Sequence, residues 1–86
     1  MKFKFIGTAV VCIVDSIPIE QVMSATYDKD NEFIWQGKDE EEACKNFENF
    51  MIETAKECCS SMFYGRSEAE LDVLYYSGSE MLKISE

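Results

Sequence analysis

The chain has 86 residues with 17 acidic and 8 basic side chains and no histidine, so its formal net charge at pH 7 is −9. This charge repels phosphate groups and disfavours direct binding to nucleic acid. Acyl transfer and hydrolysis usually need a base beside the nucleophile, most often histidine, and the chain has neither histidine nor a phosphate-loop motif. The composition predicts a non-enzymatic protein that forms a single domain over residues 1–86.

Residues 2–14 are predicted to form a β-strand. Phe3 and Phe5 alternate with lysines, and from Ile6 onward the segment is apolar on both faces. A strand that is buried on both faces lies in the middle of its sheet, so we expect this strand to be central. Pro18 cannot donate a ladder hydrogen bond and marks the end of the segment.

Residues 19–27 fit two interpretations. As a strand, the segment places on one face Ile19, Met23, Ala25 and Tyr27. As a helix, it groups Ile19, Val22, Met23 and Thr26. The strand is favoured, because the sequence DKDN at 28–31 then forms a hairpin turn into a strand at 32–36. Residues 28–39 faintly resemble a calcium-binding loop, but Phe33 stands where such a loop needs glycine.

Residues 39–63 are predicted to form one long amphipathic helix, with its body at about 40–63. Asp39 can cap the N-terminus, and Glu42 stands three residues later, which is the spacing of a capping box. Gly65 can adopt the left-handed conformation that ends a helix. The predicted buried face follows helical spacing and contains Ala43, Cys44, Phe47, Phe50, Met51, Thr54, Ala55, Cys58 and Met62.

Segments 70–76 and 81–85 flank the sequence SGSE at 77–80 and are predicted to form a C-terminal β-hairpin. A short helix at 68–74 is the alternative, because Ser67 and Glu70 also have capping-box spacing. Together these elements predict an α+β fold in which one long helix covers one face of a small antiparallel sheet of four to five strands.

The cysteines have no CxxC spacing and are predicted to be reduced thiols of a cytoplasmic protein; they are Cys12, Cys44, Cys58 and Cys59. Cys44 and Cys58 stand about 21 Å apart along a helix, so they cannot bind the same zinc ion. Lys2 and Lys4 before an apolar run mimic a signal peptide, but no small-x-small cleavage site follows them. We therefore expect no metal, no cofactor and no membrane attachment.

The outer face of the predicted helix carries an apolar stripe. Ile52, Cys59 and Phe63 project away from the buried side, and glutamates flank them. A solvated helix face does not need large apolar side chains, so the stripe is a candidate contact surface with an acidic rim. The alternative is that another segment, or the last helical turn, covers Cys59 and Phe63.

The sequence resembles two groups of proteins. The segment FIWQGKDEEEACKNFENFM is similar to HicB-type antitoxins, in which a strand, a glycine and an acidic helix beginning with EEA follow one another. This resemblance implies an antitoxin-like protein. A homodimeric adaptor that uses the outer face of the long helix is a further alternative, which the apolar stripe suggests. In size, acidity and α+β plan, the whole chain resembles small phage-encoded inhibitors of bacterial defence, including the anti-CRISPR proteins. That resemblance implies a protein that blocks a nucleic-acid-binding enzyme, often with carboxylates in place of DNA phosphates.

The main expectation is an acidic interaction module that binds a basic surface of a nucleic-acid-binding protein or complex in the host cytoplasm, with DNA mimicry as one mode. Residues 15–57 concentrate the charge, because this window holds twelve acidic and four basic side chains. The candidate contact residues are Asp28, Asp30, Glu32, Glu40, Glu41, Glu48, Ile52, Glu53, Glu57 and Phe63.

Overall fold

The structure is a computed structural model, and it describes residues 1–14, 20–30, 33–59 and 70–84. Within these ranges, five β-strands and one α-helix give the predicted α+β plan. In chain order the elements are β1 (Lys2–Ile13), β2 (Glu20–Tyr27), β3 (Ile34–Gln36), α1 (Glu40–Cys58), β4 (Leu71–Tyr75) and β5 (Glu80–Ile84).

The long strand β1 is the centre of an open antiparallel sheet, as its two-sided apolar pattern predicts. Its C-terminal half pairs with β2 and β4, so that Val11 lies opposite Met23 on one strand and Val73 on the other. Its N-terminal half pairs with β3 and β5, and Trp35 of β3 lies opposite Phe3. Both halves of β1 therefore have neighbouring strands, and β1 holds the sheet together.

The two predicted hairpins are wrong in their pairing, although the strands lie where the sequence places them. Residues 20–27 form a strand and not the alternative helix, but in the described part of the chain β2 and β3 each pair with β1 and not with each other. Residues 71–75 form a strand and not part of the alternative helix. β4 and β5 likewise both pair with β1. The reason is the length of β1, whose twelve residues accommodate short strands in succession.

The connection between β4 and β5 closes over a glycine of β1. Gly7 has a φ of +130°, and a Cβ placed on it would lie 2.6 Å from the Cα of Ser79. The Ser79 hydroxyl accepts a hydrogen bond from the Thr8 N–H at 3.1 Å and donates one to the Thr8 carbonyl at 3.2 Å. Gly7 therefore provides both the backbone conformation and the space that this connection needs.

Helix α1 begins at the predicted cap. The Asp39 side chain accepts a hydrogen bond from the Glu42 N–H at 2.9 Å, and the Glu42 carboxylate in turn accepts one from the Lys38 N–H at 3.3 Å. This is a capping box whose second bond goes one residue before the cap. The helix extends to Cys58, and the predicted last turn at 60–63 and the Gly65 stop lie outside the described residues.

The core lies between α1 and one face of the sheet. Phe47 is fully buried, and its ring stacks on that of Phe5 at a centroid distance of 4.3 Å. The rings of Tyr27 and Trp35 meet the Phe47 ring edge-on at 5.7 and 5.2 Å. The fully buried residues of the helix all belong to its predicted inner face, and they are Ala43, Phe47, Met51 and Ala55. The helix is therefore attached to the sheet mainly by aromatic packing.

Candidate partner-binding surface

The acidic side chains of α1 lie mostly in solvent. The helix holds six glutamates and two lysines, and all of these glutamates are exposed except Glu48, which is half-buried. The glutamates of α1 form no ion pair with a described lysine. With six glutamates and two lysines, the helix carries a formal charge of −4. The predicted contact residues that lie on this exposed surface are Glu40, Glu41, Glu53 and Glu57.

Two further predicted acids lie in the segment between β2 and β3. Asp28 and Asp30 are both exposed, and the Asp28 carboxylate accepts a hydrogen bond from the Asp30 N–H at 3.0 Å. This bond closes a local turn, which favours short side chains with an oxygen acceptor. Glu32 and Phe63, the remaining polar and aromatic candidates, lie outside the described residues.

The candidate glutamates of α1 lie on different sides of the helix. At about 100° per residue, Glu53 and Glu57 project close to the direction of Phe50 and Asn46. That side faces β3, because the Asn46 amide donates a hydrogen bond to the Gln36 carbonyl at 2.7 Å. Glu48 projects to the other side and reaches β4. The predicted contact residues therefore do not form one continuous site.

Glu48 has a structural partner. The Tyr75 hydroxyl donates a hydrogen bond to the Glu48 carboxylate at 2.8 Å. Partial burial of the Tyr75 side chain, followed by this hydrogen bond and the negative charge of Glu48, raises the pKa of Tyr75 well above its ordinary value of 10. Glu48 thus connects the helix to the sheet, and it is less available to a partner than the exposed glutamates are.

The Tyr75–Glu48 contact predicts how stability changes at high pH. Because the pKa of Tyr75 is higher in the folded than in the unfolded chain, its contribution to the free energy of unfolding is complete below about pH 10 and is lost as the pH rises further. We expect Tyr75→Phe to be less stable than the wild type at pH 7, and the difference to shrink above about pH 10. Urea unfolding at pH 7, 9 and 10.5 measures this, and a difference independent of pH contradicts it.

A small cleft opens between the start of α1 and the β4–β5 side of the sheet. Its volume is about 170 Å³, and Phe5 and Met81 line it together with Glu40, Cys44 and Glu80. Burial and the nearby charges of Glu40 and Glu48 raise the pKa of the Cys44 thiol, so the thiolate that nucleophilic chemistry needs is disfavoured. In the described ranges no group of three or more cysteine, aspartate or glutamate side chains is placed to hold a metal ion.

The described members of the predicted apolar stripe on the outer face of α1 are partly covered. Ile52 and Cys59 are half-buried, and both pack against the core cluster. The Cys59 thiol lies 3.6 Å from the Val22 carbonyl and can donate to it. A helix packed on a twisted sheet buries more than its central stripe, so helical angle alone did not predict this contact. The described chain therefore covers both side chains in part, and Ile52 offers a partner less apolar surface than a fully exposed residue does.

A group of aromatic rings is exposed on a different side of α1. The sequence assigned Phe50 and Cys58 to the buried face, but Phe50 is 39% exposed and Cys58 also lies on the surface. The Phe50 ring lies 5.1 Å from the ring of Trp35 and 6.2 Å from that of Phe33, which is 45% exposed. Phe33, Trp35 and Phe50 together form an aromatic patch.

The aromatic patch is held against the core by its central member. Trp35 is half-buried between the other two patch residues and Phe47, and the Phe33 ring also meets the ring of Tyr27 edge-on at 5.2 Å. The indole Nε1 atom of Trp35 is buried, and it has no acceptor within the described residues. A sequence signal for the patch existed, because Phe33 and Trp35 are two residues apart and share a strand face. The approach of Phe50 from the helix depended on the tertiary fold.

Comparisons of the chain with protein-family models, with curated proteins and with solved structures gave no match. Among the described residues, no helix combines the length and the apolar character that crossing a membrane requires.

Proposed function

We propose that this protein is a non-enzymatic interaction module that binds a basic surface of a nucleic-acid-binding protein. The observation that carries the proposal is the excess of six glutamates over two lysines on α1, with five of these glutamates exposed. A folded surface of this kind attracts lysine- and arginine-rich surfaces over several ångströms and speeds their encounter. The module acts in the cytoplasm as a stoichiometric inhibitor, in the manner of the anti-CRISPR proteins, by occupying a surface that otherwise holds nucleic acid.

The structure of the chain is compatible with this mode of action in a second respect. The exposed glutamates lie on a helix whose first turn is capped and whose inner face is buried against the sheet. Rigid elements present side chains to a partner with a smaller loss of conformational entropy than loops do. Glu53 and Glu57 stand one turn apart on this helix, so both can contact the same basic surface.

The first test is salt-dependent capture of a basic partner. Immobilised protein is exposed to a lysate of the native host at low and high salt, and bound proteins are then eluted with a short DNA duplex. We expect the captured protein to bind nucleic acid, to be released by the duplex, and to bind about tenfold or more weakly at 500 mM than at 50 mM salt. Binding that is insensitive to salt contradicts the proposal, and failure of the duplex to compete contradicts occupation of a nucleic-acid site.

The second test reverses charge at matched positions. Glu53→Lys/Glu57→Lys changes the exposed face of α1, whereas Glu70→Lys/Glu80→Lys makes the same change of net charge at exposed residues near β4 and β5. We expect the helix variant to lose capture and the control variant to retain it. Equal behaviour of the two variants shows that only the overall charge matters, which contradicts a binding surface on α1.

A further inference from the structure

The aromatic patch presents large apolar surface to solvent in an ordered arrangement. Its two exposed members, Phe33 and Phe50, come from different elements, one before β3 and one from α1. Both have their rings against Trp35, which in turn has its ring against the core residue Phe47. Rings that are positioned before binding lose little conformational entropy in a complex, and aromatic residues are frequent among the dominant contacts of interfaces.

The α1 side of the aromatic patch is acidic. Glu53 follows Phe50 by three residues and Glu57 follows it by seven, so both lie on its side of the helix, and both are exposed. Before Phe33, the exposed residues Asp28 and Asp30 alternate with exposed Lys29, whose carbonyl accepts a hydrogen bond from the Lys4 ammonium, so residues 28–30 and Lys4 together add no net negative charge. Ring faces carry negative electrostatic potential, and the carboxylates add full negative charge beside them. An apolar partner gains nothing from these charges, whereas a cation gains from both features.

We infer that the aromatic patch is the docking site for an arginine side chain of a basic partner protein. Arginine fits this combination best, because its planar guanidinium stacks on aromatic rings while its N–H groups bind carboxylates in pairs. Lysine has a compact, strongly hydrated charge and gains less from stacking. The inference rests on the proposed function, and it names the side chain by which the partner is recognised.

The test uses the one tryptophan of the chain, Trp35, as a reporter within the patch. The protein is titrated with a hexa-arginine and a hexa-lysine peptide, and binding is followed by Trp35 fluorescence and by the anisotropy of a label on the peptide. We expect hexa-arginine to change the Trp35 emission and to bind roughly 3- to 10-fold more tightly than hexa-lysine.

Variants separate stacking from charge. Phe50→Leu and, independently, Phe33→Leu keep an apolar side chain and should abolish the preference for arginine over lysine. Tyr76→Leu is the control, because Tyr76 is 59% exposed and lies in the connection after β4, outside the patch. Circular dichroism verifies that each variant is folded.

The outcomes distinguish this inference from the proposed function. Equal affinity for the two peptides, or an arginine preference that survives in both patch variants, overturns the arginine site but leaves the acidic module intact. Absence of binding to either peptide at low salt overturns both. A concentration-dependent dimer that Phe50→Leu dissociates also overturns the inference, because the patch is then an interface between two copies of this chain.

Discussion

Replacing Phe47 by alanine is expected to lower the free energy of unfolding by about 3–5 kcal/mol. The side chain is fully buried and is the common neighbour of four rings, including Phe5 from β1, Trp35 from β3 and Tyr75 from β4. Its removal leaves a cavity that the long strand and the helix cannot close without moving apart. Because small domains have a total stability of about 5–15 kcal/mol, this loss is a large share of the whole.

Urea unfolding followed by circular dichroism measures the effect, with Phe50→Ala as the matched control. Phe50 is the same residue type on the same helix, but it is 39% exposed, so its replacement removes less buried area. We expect the control to lose clearly less stability than Phe47→Ala does. Equal losses for the two variants contradict the arrangement in which Phe47 is the centre of the core.

Replacing Gly7 by alanine is expected to lower the free energy of unfolding by about 3 kcal/mol. The positive φ of +130° is costly for any residue with a Cβ, and the new methyl group would lie 2.6 Å from the Cα of Ser79. The backbone of the β4–β5 connection must then move, and the two hydrogen bonds between Ser79 and Thr8 are strained or lost. The variant thus affects pairing of both β4 and β5 with β1.

Gly78→Ala is the control for this prediction. Gly78 also has a positive φ, of +89°, but a Cβ placed on it meets no atom within 4 Å. It therefore measures the conformational cost alone, about 1–2 kcal/mol. Unfolding curves of the two variants separate strain from steric overlap, and a Gly7→Ala variant as stable as Gly78→Ala contradicts the close approach of Ser79.

The sequence by itself determined the local elements of this protein. The two-sided apolar run of β1 predicted a central strand, and the spacing of Asp39 and Glu42 predicted the beginning of α1 with its first hydrogen bond. These features depend on residues within one turn or one strand of each other, so their patterns are visible along the chain. The exposure of most acidic side chains was also predictable, because charged residues are rarely buried without partners.

The tertiary structure alone decided which segments meet. The turn residues at 28–31 and 77–80 suggested hairpins, yet β2, β3, β4 and β5 all pair with β1, because pairing depends on the length and burial of the common neighbour. The same holds for the candidate site. Ile52 became half-buried through contacts with the core, whereas Phe50 joined Phe33 and Trp35 in the aromatic patch. A helix pattern gives the direction of a side chain, but the position of the sheet beneath it determines whether that side chain is covered.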